Sequence, residues 1–433
     1  MKTNAEVKLW GTVIGAVSLD ERNRTADFEY NPSFLQSGIQ LSPIVMPLKH
    51  GIYRFPDLSY ETFHGLPGLI SDSLPDKFGN SIINVWLSKQ GRLPESFNAV
   101  ERLCYTGKRG MGALEYYPVI DSDDIDEKLN VSELVELTSV VLKNRQNLNA
   151  VLDECNKSEM NTALSQIISV GTSAGGARAK AVIAWNPETN EVRSGQIENS
   201  KAFEHWLIKF SGVAGNKDKE DEDREDFGII EYAYYLMAKE AGINMSECRI
   251  LDDGKNSHFM TKRFDRDSNG SKFHMQTLCA MAHMDFNQAG VYSYEQFFSI
   301  LNKIGTHHQD SVEAFKRMLF NIYAFNCDDH TKNISFLMNK QGQWKLSPAY
   351  DVSFAYNPNG LWTSAHQMTV NGKRKNFTEL DFESCAKIGN LSYREVKNAI
   401  VDVKSAVSNW KAIAKKSGLS QKRIDDIWEF IGQ

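Results

Sequence analysis

The sequence lacks any run of apolar residues near the roughly 18 that a helix needs to cross a bilayer, so no membrane span is expected. Its first eight residues lack the apolar stretch of a secretory signal, and the expected location is the cytoplasm. Cysteine is sparse and scattered. Cys104, Cys155, Cys248, Cys279, Cys327 and Cys385 form no C-x-x-C pair, which argues against a disulfide framework or a zinc site and for buried thiols in a reducing compartment. An excess of positive charge is missing as well. Lys and Arg number 49, Asp and Glu 55, and the net charge is −6. That argues against a surface that grips nucleic acid throughout and leaves room only for a local basic patch. Neither an internal repeat nor a low-complexity tract is present. What is present is ordinary for a folded chain: 24% charged and 41% hydrophobic residues over 433 positions, enough for two or three domains at about 150 residues each.

The opening segments read as strands. Residues 7–10, 12–19 and 26–30 alternate in polarity, with a polar turn at 20–23. A helix bearing Ile82, Ile83, Val85 and Trp86 follows Pro75 and Asp76, and a glycine-rich stretch at 107–112 leads into residues 113–117. Residues 121–165 read as helical and polar, with a periodic stretch at 131–141, and mark a boundary. From 166 the pattern is strand (167–170), glycine loop (171–180), strand (181–185), then a strand at 205–210 and a charged loop at 217–226. A helix over 227–241 is capped by Asp226 and stopped by Gly242, and a strand at 258–264 follows. Helices are then expected at 275–284, 293–303 and 310–327, and a hairpin joins 333–338 to 344–346. Two terminal helices open at the capping box Ser392 to Glu395 and at Ser420.

The chemistry concentrates in Asp328-Asp329-His330-Thr331-Lys332-Asn333, which follows an apolar helix and precedes a strand. Asp328 and Asn333 stand five apart, the Asp-to-Asn offset of a protein-kinase catalytic loop. There the Asp receives the substrate hydroxyl proton and the Asn holds magnesium. Asp351, after the hairpin, would supply the second hard oxygen ligand that magnesium wants. The glycine loop joins two strands, so its amides could cover nucleotide phosphates, yet it is no Walker A. Lys209, in the middle of an apolar strand, is costly to bury unless paired, and a kinase would use it on the α- and β-phosphates. Taken singly, the loop reads as a plain hairpin and Lys209 as an edge lysine; the order of the parts makes the argument. Asp226-Phe227-Gly228 spells a kinase metal motif but precedes the catalytic loop and opens a helix, so it reads as an N-cap. His307-His308 has no spaced acid or cysteine partner and reads as an inter-helix turn. The order of elements indicates an ATP-dependent phosphotransferase.

Nearly the whole chain resembles the HipA family of bacterial serine/threonine kinase toxins. Residues 26–32, 41–43, 46–48 and 63–76 resemble its N-terminal module. Residues 173–180 resemble its glycine loop, Leu207-Ile208-Lys209 its nucleotide lysine, Arg263-Phe264-Asp265-Arg266 its hinge, and 328–333 with Tyr350-Asp351 its catalytic and metal segments. The resemblance implies an α+β chain with a two-lobed kinase-like fold: a β-rich module over 1–120, a helical connection over 121–165, a kinase N-lobe over 166–264 and a mostly helical C-lobe over 265–433. It implies Asp328 as catalytic residue with His330 supporting the loop, and Asn333 and Asp351 on Mg2+. ATP would be bound by Lys209, by Ser173, Ala174, Gly175, Gly176 and Ala177, and by Met260, Lys262, Phe264 and Tyr350. Ser173 would be the autophosphorylation site, where about two added negative charges would displace the loop. The implied partners are a dimeric HipB-like helix-turn-helix antitoxin, operator DNA within their complex, and an aminoacyl-tRNA synthetase substrate, the glutamyl enzyme first. The outcome would be blocked translation and dormancy in a bacterial cytoplasm. Lys373, Arg374 and Lys375 resemble a family segment that could touch DNA phosphates; a solvated turn is the plainer reading. Asp329 stands where the better-known pattern has Gly, and Lys262 where an acid is common. Two other readings stay open: a small-molecule phosphotransferase of related fold, and a non-catalytic nucleotide-binding co-repressor, which the intact set Lys209, Asp328, Asn333 and Asp351 opposes.

Overall fold

The computed structural model describes residues 2–120, 128–143, 178–195, 202–213, 226–267 and 269–432. The proposed glycine-loop residues Ser173, Ala174, Gly175, Gly176 and Ala177, the strand expected at 167–170, and Cys155 lie outside these. The chain forms two compact units: Met1–Gly38, Lys49–Gly228 and Arg249–His274 make one, and Ile39–Leu48, Ile229–Cys248 and Met275–Gln433 the other.

The first unit opens with an antiparallel sheet of β1 (Lys2–Leu9), β2 (Thr12–Asp20), β3 (Thr25–Tyr30), β4 (Ile52–Arg54) and β5 (Leu114–Tyr117), in the order β4-β3-β2-β1-β5. Its strands show the two-residue period of a half-buried sheet: Ala5, Val7 and Leu9 are buried while Asn4 and Glu6 face solvent. Helix α1 (Lys77–Lys89) starts where the Asp76 carboxylate accepts from the Gly79 amide at 2.7 Å. Helix α2 (Ala99–Thr106) starts at a capping box of Asn98 and Glu101. A second sheet contains β6 (Lys180–Trp185), β7 (Val192–Ser194), β8 (Glu204–Lys209), β9 (Cys248–Asp252) and β10 (Ser257–Lys262), ordered β7-β6-β8-β10-β9. Phe78, Ile82 and Val85 of α1 share a core with Leu134 and Val135 of α3 (Val131–Lys143) and with Ile183, Trp206 and Ile208 of the sheet. Each such side chain contributes about 1.5–3 kcal/mol on burial.

The second unit is mostly helical. It contains α4 (Phe227–Glu240), α5 (Leu278–Ala282), α6 (Tyr294–Ile304), α7 (His308–Tyr323), α8 (Tyr393–Ser408), α9 (Trp410–Lys416) and α10 (Gln421–Ile431). A small sheet of β11 (His274–Thr277), β12 (Ser335–Met338) and β13 (Trp344–Leu346) runs in that order, with β12 and β13 forming the expected hairpin. Several expected boundaries move: the strand expected at 258–264 ends at Lys262, the one expected at 7–10 runs over Lys2–Leu9, and two helix boundaries shift for a local reason. Residues 275–277 are extended rather than helical, because the helix starts only where the Thr277 hydroxyl accepts from the Ala280 amide at 3.1 Å. The helix expected at 310–327 begins at His308 and ends at Tyr323. Phe325 then adopts φ 51°, which an α-helix cannot continue.

Candidate active site

The stretch from α7 into β12 positions the expected catalytic loop. Ala314, Phe315, Met318 and Leu319 bury one face of α7 completely. The left-handed turn at Phe325 is held from several sides. The Tyr234 hydroxyl donates to the Ala324 carbonyl at 2.7 Å, the Cys327 amide to the Ala355 carbonyl at 3.0 Å, and the Ala355 amide to the Phe325 carbonyl at 3.1 Å. Left-handed backbone at a non-glycine residue costs roughly 1–3 kcal/mol and persists where surrounding bonds over-determine it.

Asp329 anchors the loop from below. Its side chain is fully buried, and Oδ2 lies 3.0 Å from His366 Nδ1 and accepts from the Tyr294 hydroxyl at 2.9 Å. Oδ1 accepts from the Gln367 amide at 2.7 Å. The network continues from the Asn326 amide to Asn321 Oδ1 and from the Asn321 amide to the Tyr294 oxygen, both at 2.9 Å. Burial disfavours both charges, yet each stabilises the other. The His366 pKa rises to about 10 and that of Asp329 falls below the usual carboxylate range.

Asp328, one residue earlier, points the other way and keeps 41% of its side-chain exposure. Oδ1 accepts from the Trp362 indole at 2.6 Å, and His330 Nε2 lies 3.6 Å from the same oxygen. Desolvation raises the Asp328 pKa; His330 and the indole oppose the rise, while the charges of Asp351 and Asp329 add to it. Residues Thr331–Asn333 form a single 3-10 turn, with the Asn333 amide N–H on the His330 carbonyl at 2.9 Å. The side-chain NH2 of Asn333 donates to the Asp328 carbonyl at 2.9 Å, so the amide oxygen is the atom that Asn333 can offer a cation. Tyr350 is tied to the loop by its hydroxyl, which donates to the Lys332 carbonyl at 2.8 Å. Asp351, at φ 56°, comes next. Asn333, Tyr350, Asp351 and Asp329 line one small cavity of about 40 Å3. The second unit thus brings Asp328, His330, Asn333, Tyr350 and Asp351 together. The donor set is hard oxygen, which suits magnesium, and the like-charge strain between Asp328 and Asp351 is of the kind that a bound cation relieves.

The expected nucleotide residues described in the first unit lie on its second sheet. Lys209 ends β8, is buried, and sits opposite Lys180 of β6 and Phe259 of β10. Its ammonium lies 5.7 Å from the Phe259 ring centre. Lys180 is equally buried and faces the Asp76 carboxylate at 4.0 Å. Met260 is fully buried in the core, Lys262 pairs with Glu204 on the neighbouring strand, and Phe264 follows the end of β10, half-buried. Just after β10, Asp265 is held by Arg263 and Arg266 and accepts from the Gly112 amide at 2.7 Å. Burial opposes its charge, but the two guanidinium groups keep its pKa well below the usual range. The glycine-rich stretch at 107–112 is therefore latched to residues 263–266.

The basic segment is a tight turn in the second unit. Lys373 pairs with Asp381 at 2.8 Å, Arg374 donates to the His366 carbonyl at 2.5 Å, and Lys375 is exposed. His308 pairs with Glu395 at 2.8 Å. Sequence reasoning missed Trp362, His366 and the burial of Lys180. Only His366 left a trace, since an Asp placed where the pattern carries Gly needs a counter-charge if it is buried.

Two family models match the chain: the HipA N-terminal domain over residues 5–117 and the HipA-like C-terminal domain over residues 172–410, more than half of the sequence. A chain of the Shewanella oneidensis MR-1 toxin–antitoxin complex of HipA, HipB and operator DNA is similar over 99% of this chain and 95% of its own, with TM-score 0.65 and 16% identity; this shows a shared fold. The Helicobacter pylori proinflammatory kinase CtkA is similar over 53% of this chain and 88% of its own, with 12% identity and a TM-score of 0.32, too low to carry an argument. A Haemophilus influenzae Rd protein named "Putative kinase" is 29% identical over 134 residues, 28% of this chain and 39% of that protein. The chain thus matches well under half the length of that relative. Among the described residues, no helix is long and apolar enough to cross a membrane.

Proposed function

Because this chain belongs to the HipA family, we propose that it is a serine/threonine protein kinase that uses Mg-ATP and acts as the toxin of a toxin–antitoxin pair. The observation that carries the reading is the grouping of Asp328, Asn333 and Asp351 in the second unit. Asp328 is half-exposed on a loop whose backbone is locked, and its raised pKa makes it a better proton acceptor. It would take the proton of the substrate hydroxyl as that oxygen bonds to the γ-phosphorus and the bond to ADP breaks. Asn333, through its amide oxygen, and Asp351 would hold magnesium, which when bound neutralises phosphate charge. Lys209 would take the α- and β-phosphates, and Met260, Lys262, Phe264 and Tyr350 would complete the nucleotide site. Ser173, in the glycine loop with Ala174 to Ala177, is the proposed autophosphorylation site.

The finer reading is an aminoacyl-tRNA synthetase substrate, the glutamyl enzyme first, and a HipB-like antitoxin dimer with which the chain represses its operon in the bacterial cytoplasm. Support for the partners is the Shewanella complex, which contains HipB and operator DNA. Lys373, Arg374 and Lys375 would add only a local contact to DNA. The proposed division is a β-rich module over 1–120, a connection over 121–165, an N-lobe over 166–264 and a C-lobe over 265–433. Incubation with Mg-ATP followed by intact-mass measurement tests the activity. A phosphate is expected on Ser173 and is expected to be absent in Asp328→Asn and Ser173→Ala. No phosphate on any protein, even with cell lysate added, would overturn the reading.

A further inference from the structure

Trp362 lies 34 residues beyond Asp328, yet its indole N–H donates to Asp328 Oδ1 at 2.6 Å. The segment that carries it is fastened to the residues on both sides of Asp328. The Gln367 side-chain amide donates to the Trp362 carbonyl, to the Cys327 carbonyl at 3.3 Å and to the Ala365 carbonyl at 3.1 Å. The Gln367 backbone amide donates to Asp329 Oδ1 at 2.7 Å, and His366 lies 3.0 Å from Asp329 Oδ2. The indole ring also stands 6.3 Å from the His330 ring, tilted by 60°. The indole is therefore built into the loop rather than resting on it.

A half-exposed aspartate rotates readily about its last side-chain torsion, because that torsion is broad. One short bond from a rigid ring, itself fixed at its backbone, removes that freedom and makes the two carboxylate oxygens unequal. Resting on the kinase reading above, we propose that Trp362 is a positioning residue. Its indole N–H holds Asp328 Oδ1 and turns Oδ2 toward the substrate hydroxyl. Oδ2 takes the hydroxyl proton as the hydroxyl oxygen bonds to the γ-phosphorus and the bond between that phosphorus and ADP breaks. Trp362 touches neither substrate nor nucleotide in this step; it acts through Asp328.

The test uses the full-length chain. In steady-state kinetics with Mg-ATP and a phosphorylatable protein fraction, Trp362→Phe keeps the ring and loses the donor. Its kcat is expected to fall about 10- to 100-fold, the span of one hydrogen bond to a charged group, with KM for ATP unchanged. Trp362→His, which restores a ring N–H, is expected to recover part of the loss. Nitrogen-15 spectra of the indole N–H groups give a readout that does not depend on turnover. One far-downfield signal should vanish in Trp362→Phe and move upfield in Asp328→Asn. Trp362→Phe with wild-type or higher kcat would overturn the proposal, higher kcat marking the indole as an obstruction instead. An indole signal indifferent to Asp328→Asn would overturn it as well. If the wild-type chain transfers no phosphate at all, the kinase reading fails; if it does and Trp362→Phe matches it, only the positioning role fails.

Discussion

Replacing His366 by Gln removes the positive charge that pairs with Asp329 while keeping a side chain of similar size and polarity. The pair is buried, and removing one partner of a buried pair strands the other, at a cost of about 3–5 kcal/mol. The protonation equilibrium points the same way: the Asp329 carboxylate outweighs burial and raises the His366 pKa from 6.5 to about 10. The sign follows from linkage. A group whose folded pKa lies above its unfolded value stabilises most below the unfolded value, here 6.5, and loses that contribution as pH rises toward about 10. Urea unfolding followed by near-ultraviolet circular dichroism, on the wild type and His366→Gln at pH 6, 8 and 10, should show the largest difference at pH 6 and little at pH 10. Adding Asp329→Asn to His366→Gln should cost less than the sum of the two single changes, since it removes the stranded charge. A difference under 1 kcal/mol at pH 6, or one that stays constant up to pH 10, would refute the buried ion pair as the anchor of the loop.

Two further outcomes follow from the same physics elsewhere in the chain. Asp265→Asn should destabilise the first unit by about 3–5 kcal/mol, because Arg263 and Arg266 lose their counter-charge; hydrogen exchange at the Gly112 amide should quicken, since that amide bonds Asp265. Ser392→Ala removes the hydroxyl that caps α8 and should lower stability by about 1 kcal/mol in the same urea assay.

Local features were legible in the sequence. The hairpin of β12 and β13, the helix starts after Asp76 and at Ser420, the capping box at Ser392, and the opening of α4 at Phe227 all depend on residues within a few positions of each other. The offset between Asp328 and Asn333 was legible for the same reason: one 3-10 turn and one side-chain bond to the Asp328 carbonyl set it. Asp351 could be found because a hairpin brings the chain back to the loop. Trp362 and His366 could not, since they reach Asp328 and Asp329 across 34 and 37 residues with no period to announce them. Residues 275–277 misled for a related reason. Their sequence continues smoothly into α5, and pairing in the small sheet overrides that local preference. Lys180 reads as the tail of a glycine loop; only the fold reveals a buried ammonium opposite Lys209, facing Asp76.

The most direct test of the account is transfer of labelled γ-phosphate from Mg-ATP to protein by the purified chain, wild type and Asp328→Asn side by side. The account predicts labelled protein with the wild type and none above background with Asp328→Asn. Equal labelling by both would contradict it, because phosphate would then be moving without the residue around which the loop is built.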